Sequence, residues 1–323
     1  MTKCLCLIAA LAAMTACKKK ANDKPAEPTP GSGDVAAQPN DAAAADAAKA
    51  WDGKSPLSIS EGFATPESVL YDADADVYLV SNVNGDALGA DDNGYITKVS
   101  PDGKITEEKW IDGAKDDVKL DAPKGMVIVD GMLYVADISV VRQFDAKTGE
   151  PKGDIAIKGA TFLNDIAPAP GGGIYVTDSG LDAAFKPTGT DAIYQIGKDG
   201  KVKPLIKDKS LGNPNGIAAG ADNSVWVVTF GSGEIYQVNA KGKKVSPQKL
   251  PKGKLDGIVV LDGGDVLVSS WDGEAVYRGK PGDEWKPAIE NVKSPADIGW
   301  DAKRNRVLIP IFQGNSVVLN PIE

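Results

Sequence analysis

The 323-residue chain contains no histidine. That gap removes every Ser-His-Asp or Cys-His nucleophilic mechanism and every histidine-ligated metal. Cysteine is nearly missing as well: Cys4, Cys6 and Cys17 all fall in the first seventeen residues. A chain that loses its first sixteen residues keeps one thiol, so it can form neither an intramolecular disulfide nor a zinc–thiolate centre. Positive charge is in deficit, with 36 Lys and Arg against 45 Asp and Glu and a net charge of −9. An acidic surface is a poor partner for a phosphate backbone, which excludes nucleic acid as the ligand. Long apolar runs are absent too. The N-terminal one spans about ten residues, against the roughly 20 that a membrane helix needs. Any chemistry must come from carboxylates, amides, lysine, or a metal bound through oxygen.

The first residues, "MTKCLCLIAALAAMTAC", have the form of a secretory leader: one Lys, an apolar stretch, then small residues. The ending "MTAC" resembles the bacterial lipobox, which implies cleavage before Cys17 and lipidation of its sulfur. A plain signal peptide cut near Ala16 is the alternative. Residues 18 to 54 are Pro, Ala and charge with almost no large apolar side chain. Such a segment cannot bury enough surface to repay ordering and suits a tether. The expected organisation is therefore a leader (1–16), a lipidated Cys17 with its tether (17–54), and a folded domain (55–323). The mature protein, with a net charge of −10, is expected in a bacterial cell envelope, periplasm-facing and anchored through lipid alone. Lys18 after the cysteine, in place of an Asp, favours the outer membrane.

Six segments of the folded domain align. They are "PESVLYDADADVYLVSN", "PKGMVIVDGMLYVAD", "LNDIAPAPGGGIYVTD", "PNGIAAGADNSVWVVT", "LDGIVVLDGGDVLVSS" and "PADIGWDAKRNRVLIPI". Each combines a short apolar strand, a Gly/Asp/Asn turn and a second β-rich strand. A third alternating strand often follows, such as "YITKVS" or "EIYQVN". Successive units are 57, 40, 51, 41 and 40 residues apart, and the short spacing fits one four-stranded propeller blade. Loops at 82–94 and 179–191 account for the longer units. The last unit has three strands, so "LSIS" (57–60) is expected to supply its fourth and close the ring. The fold class is all-β, a six-bladed β-propeller.

The second residue of each unit should face the channel where the innermost strand begins. Read in order, these are Glu67, Lys124, Asn164, Asn215, Asp256 and Ala296. A second column lies 13 to 15 residues later: Asn82, Asp137, Asp178, Thr229, Ser270 and Ile311. Asn82, Asp137 and Asp178 are expected on the substrate side of the mouth. Polar residues at a mouth can simply be solvated. This ring, however, offers two carboxylates and two amide oxygens, the donors that a hard cation needs. Carboxylates facing each other out of water need a cation or proton between them. Lys124 could meet that need instead, as a salt-bridged plug against Glu67. It could equally bind an anionic substrate or stabilise an oxyanion. The "DADAD" turn (72–76), the acidic 85–94 loop and the basic 239–254 stretch are expected to be solvated surface. Trp226 and Trp300 are expected in the core, and Trp271 within reach of the mouth.

On these blade-start residues the chain resembles the senescence-marker-protein, gluconolactonase and luciferin-regenerating-enzyme family of six-bladed propellers. The resemblance covers about residues 60 to 323. It implies a divalent metal (calcium, magnesium, manganese or zinc) held by Glu67, by Asn215 of "PNG" and by Asp256 of "LDG". It also implies contact with substrate or with a metal-bound water by Asn164 of "LND". The family's Glu usually sits in "EGP" and here in "PES", so Glu61-Gly62 competes with Glu67. The expected activity is opening of a lactone or ester, with Asp256 or a neighbouring carboxylate moving the proton and Lys124 stabilising charge. The alternative is a non-catalytic propeller that binds a small ligand, an ion or a partner protein at its mouth. A monomer is expected in either case.

Overall fold

A computed structural model describes residues 51–322. The leader, Cys17 and the tether up to residue 50 lie outside the described residues. The described chain forms six four-stranded antiparallel sheets. In blades 1 to 5 the strands follow sequence order from the axis outward. Blade 1 comprises Pro66–Asp72, Val77–Asn82, Tyr95–Val99 and Ile105–Asp112, and blade 4 comprises Pro214–Ala219, Val225–Thr229, Glu234–Val238 and Lys244–Lys249. Blade 6 departs from that order. Its inner three strands are Gly299–Asp301, Arg306–Ile311 and Ser316–Pro321, but its outermost is Leu57–Ile59. Leu57 pairs with Leu319 and Ile59 with Val317. The N-terminal strand thus covers the edge that a three-stranded last blade would leave open.

The second strands are buried on both faces, as fits sheets packed between neighbouring blades. Six clusters of buried apolar side chains result, one at each seam between blades. Val127, Val141, Leu163 and Val176 fill the seam between blades 2 and 3. Val69, Val80, Leu308 and Leu319 fill the closing seam between blades 6 and 1, with Leu57 and Ile59 packed against them. Trp226 and Trp300 pack on the seams between blades 4 and 5 and between 5 and 6, as core residues. The outermost strands are largely exposed, including Lys244–Lys249 of the basic stretch. Among the described residues no helix is long and apolar enough to cross a membrane.

One expected surface feature is structural. The "DADAD" turn does join two strands of blade 1, yet Asp72 is buried and accepts from the Asp74 and Ala75 amides. Asp76 pairs with Arg304 at 2.7 Å and Lys303 at 2.9 Å, and it accepts from the Tyr71 hydroxyl. The turn therefore links blade 1 to blade 6.

Candidate functional site

Each inner strand of blades 1 to 5 opens with an irregularity. The pairing of inner and second strands slips between Pro66 and Ser68, Pro123 and Met126, Leu163 and Ile166, Pro214 and Ile217, and Leu255 and Ile258. These bulges fall on Glu67, Lys124, Asn164, Asn215 and Asp256. A bulge re-aims a side chain that a regular ladder would hold in the sheet face. All five residues are buried, with exposures of 1–5 %. Glu61, the competing carboxylate, is exposed.

The residue after each ring position explains how the strands come so close. A side chain on Gly216 would place its Cβ 2.3 Å from the Asp256 carbonyl oxygen. One on Gly257 would lie 2.2 Å from the Ile298 amide nitrogen. Gly216 is needed for this approach of neighbouring blades, and its φ is not positive. In blades 3 and 6 the same position holds Asp165 and Asp297. Asp165 accepts from the Ile217 amide of blade 4 at 2.7 Å, and Asp297 accepts from the Ser68 hydroxyl of blade 1 at 2.5 Å. Hydroxyls add further clips: Thr177 donates to the Asn215 carbonyl and Ser269 to the Ala296 carbonyl.

Four oxygens of the ring are buried without a hydrogen-bond partner: Glu67 Oε2, Asn164 Oδ1, Asn215 Oδ1 and Asp256 Oδ1. Asn164 is oriented by its own amide, which donates to Ser179 Oγ at 3.1 Å. Burial, reinforced by Asp256 and Asp297, holds the Glu67 carboxyl well above the usual carboxylate range, with Lys124 opposing. Burial and Asp297 likewise raise Asp256, against the Trp271 indole beside it. Asp297 is pushed up to about 7 by burial, with the Ser68 hydroxyl opposing. Asp165 is raised by burial and by Asp297. Glu67, Asp165, Asp256 and Asp297 are thus four buried carboxyls at the starts of the inner strands, alongside the buried ammonium of Lys124.

That ammonium does not form the plug. Lys124 Nζ donates to the Ala122 carbonyl at 2.8 Å and lies 4.9 Å from the Phe162 ring centre. Among the described residues it makes no ion pair. Burial lowers its pKa, while Glu67 and Asp137 oppose that. The 82–94 loop reaches this side of the mouth, where Ala87 and Leu88 pack on Phe162 and Leu181.

The second column has a different role from the one expected. Asn82 accepts from the Ala64 amide. Asp137 accepts from the Asp121 and Ala122 amides and from Arg142 Nε at 2.7 Å. Asp178 accepts from the Phe162 and Gly180 amides. These side chains turn to the loop that precedes their own inner strand, because its amides would otherwise be buried unpaired. They are not free to take substrate. Asp137 instead fixes the Ala122 carbonyl that holds Lys124, and Asp178 fixes Phe162 beside it. Asp165 and Asp297 were not among the expected residues. Their signal was present, one register beyond the ring in "LND" and "PAD".

The donor set fits a hard cation. The four unpartnered oxygens comprise two carboxylates and two neutral amides, the mixture that Ca²⁺-type sites use. Among the described residues no cluster of three His, Cys, Asp or Glu side chains is placed to hold a metal; the ring's candidate donors are two carboxylates and two amides.

The family described as "SMP-30/Gluconolactonase/LRE-like region" matches residues 65–299. No curated protein matches the chain significantly in sequence. Several solved structures share the fold. A gluconolactonase from Xanthomonas campestris superposes with a TM-score of 0.64 at 18 % identity, covering 83 % of this chain and 89 % of its own. A protein described as a putative gluconolactonase gives 0.65 at 18 %, covering 84 % and 94 %. A Staphylococcus aureus virginiamycin B lyase, described as inactive with a histidine replaced by alanine, gives 0.57 at 14 %, covering 83 % and 98 %.

Proposed function

The chain belongs to the SMP-30/gluconolactonase/LRE-like family, and on that premise we propose that it is a divalent-metal-dependent hydrolase that opens a lactone or ester. The family supports a lactonase-type hydrolase in general terms. The observation that carries the finer reading is the set of four buried, unpartnered oxygens on Glu67, Asn164, Asn215 and Asp256. Leaving each without a partner costs about 1–3 kcal/mol, and a cation would relieve all of them. Glu67, Asn215 and Asp256 would hold it, and it would supply a Lewis acid that polarises the substrate carbonyl.

The chain's own residues carry the rest. Asp256 is buried with one carboxylate oxygen unpartnered, and it is the carboxylate that accepts a proton in this reading. It takes one proton from water as the oxygen attacks the carbonyl carbon. Lys124 has three N–H donors and spends one on Ala122. The others face the charge that develops on the carbonyl oxygen. As the intermediate collapses, the C–O bond to the leaving oxygen breaks and Asp256 returns its proton there. A lactone yields a single hydroxy acid. Asn164 orients the bound substrate. A lyase reading is disfavoured because the similar lyase is described as inactive without a histidine, and this chain has none.

Purified mature protein should hydrolyse an acyl lactone such as γ-butyrolactone when supplied with calcium, magnesium, manganese or zinc. Asp256→Asn should lower the rate at least about a hundredfold, the usual share of a positioned proton carrier. Full activity in that variant, or after complete chelation, would sink the mechanism. Attachment to the envelope through Cys17 is part of the same proposal. Cys17→Ser should move the protein from the membrane to the soluble fraction, and mass spectrometry of the wild-type N-terminus should find a lipid.

A further inference from the structure

The mouth carries a third periodic column. One residue past the end of each second strand, the chain places Val83, Ile138, Ser179, Phe230, Trp271 and Phe312. In blades 4 to 6 this position is aromatic every time. The three rings form a continuous array: Phe230 and Trp271 meet edge-on at 5.5 Å, and Trp271 and Phe312 lie 5.4 Å apart. All three are half-buried, so each keeps apolar surface in water. The column borders the ring. Ser179, its member in blade 3, accepts from Asn164, and Trp271 lies beside Asp256. Trp271 Nε1 is buried without a partner, as is Asp256 Oδ1.

The mouth is therefore polarised. Blades 1 to 3 contribute Glu67, Lys124 and Asn164 at ring level. Blades 4 to 6 contribute Asn215, Asp256 and the small Ala296, with the aromatic array next to Asp256. A sugar lactone carries hydroxyls all round, and each needs a partner when it leaves water. The side chains of the aromatic wall offer no exposed donor, since the Trp271 indole nitrogen is buried beside Asp256. The wall matches a flat apolar group instead, which is favoured by leaving water for apolar surface.

We propose that the wall of Phe230, Trp271 and Phe312 binds the aryl group of an aryl-substituted lactone or ester, with the carbonyl over Asp256 and its oxygen toward Lys124. This rests on the hydrolase reading of the ring and names its substrate class. Two measurements separate the two claims. The first compares kcat/KM for γ-phenyl-γ-butyrolactone and γ-butyrolactone. Wild type should favour the phenyl compound by about tenfold or more, the scale on which apolar pockets discriminate. Phe230→Ala and Phe312→Ala should each bring the ratio near one. The second follows fluorescence quenching by γ-phenyl-γ-butyrolactone, taking the Trp271 part as the difference between wild type and Trp271→Phe, which keeps an aromatic ring in place. Saturable quenching should appear in wild type and be lost in the variant. Quenching without turnover retains the wall and sinks the hydrolase reading. Turnover without phenyl preference, or with preference unaltered in the variants, overturns the wall. Trp271 emission that tracks protein concentration rather than ligand would mark a contact between copies, and also overturns it.

Discussion

At the residue scale, the channel carries more carboxylate than its one lysine can balance, and pH should reveal it. Asp297 has an ordinary pKa of 3.8 and is pushed up to about 7. An acid whose pKa is higher in the folded than in the unfolded chain stabilises the fold below the lower value. That contribution is lost as pH rises through the higher one. Metal-free protein should therefore lose stability between about pH 4 and pH 7, by up to about 1.4 kcal/mol per pH unit for this group. Thermal melts in chelator should show the slope, and Asp297→Asn should flatten it. Excess calcium should flatten it too, since a bound cation favours the charged carboxylates. Asp256→Asn should raise the Tm of metal-free protein by a few degrees while removing stabilisation by calcium. Such a trade of stability against activity is expected where a site holds unpaired charge. A flat profile in chelator would mean that the channel carboxyls are already balanced within the chain.

At the scale of elements, the inner strands explain what was legible in the sequence. Six aligned segments revealed the blades, and the residue after each opening Pro or Leu revealed the ring. Periodicity locates such positions because every blade repeats one geometry. It does not report where a side chain's hydrogen bonds go. Asn82, Asp137 and Asp178 share the ring's period, yet each turns to a preceding loop, and nothing in the spacing distinguishes a loop clasp from a ligand. Asp165 and Asp297 were hidden for the opposite reason. Four of the six blades hold Ser or Gly at that register, so no acidic pattern stood out. Lys124 could not be assigned because its choice of Ala122 over Glu67 depends on a loop carbonyl. The close approach of inner strands also makes a prediction. Gly216→Ala would press a methyl against the Asp256 carbonyl. It should cost about 1–3 kcal/mol as overpacking and should impair activity, since both Asn215 and Asp256 flank the contact. Wild-type stability and turnover in this variant would show that the two strands can separate freely.

For the whole molecule, stability rests on closure of the ring. Leu57 and Ile59 pack on the seam between blades 6 and 1, and Arg306 stacks on Trp51 at 4.2 Å. Removing residues up to Ser60 strips that packing and exposes the strand Ser316–Pro321. The shortened protein should melt several degrees lower and should aggregate with concentration as the bare edge pairs between copies. Light scattering during a thermal ramp would test both. An unchanged Tm would mean that the first five blades and a three-stranded sixth suffice.

The closing strand also gives the molecule a direction. Leu57 pairs near the end of the last strand, whereas Ile59 pairs near its start, next to the ring mouth. Trp51 stacks on Arg306, at the far end of blade 6 from Ile311. The polypeptide thus enters at the back of the disc and runs forward to Pro66 at the rim. Glu67, Asp256 and the aromatic wall therefore open on the face opposite the one where Trp51 packs.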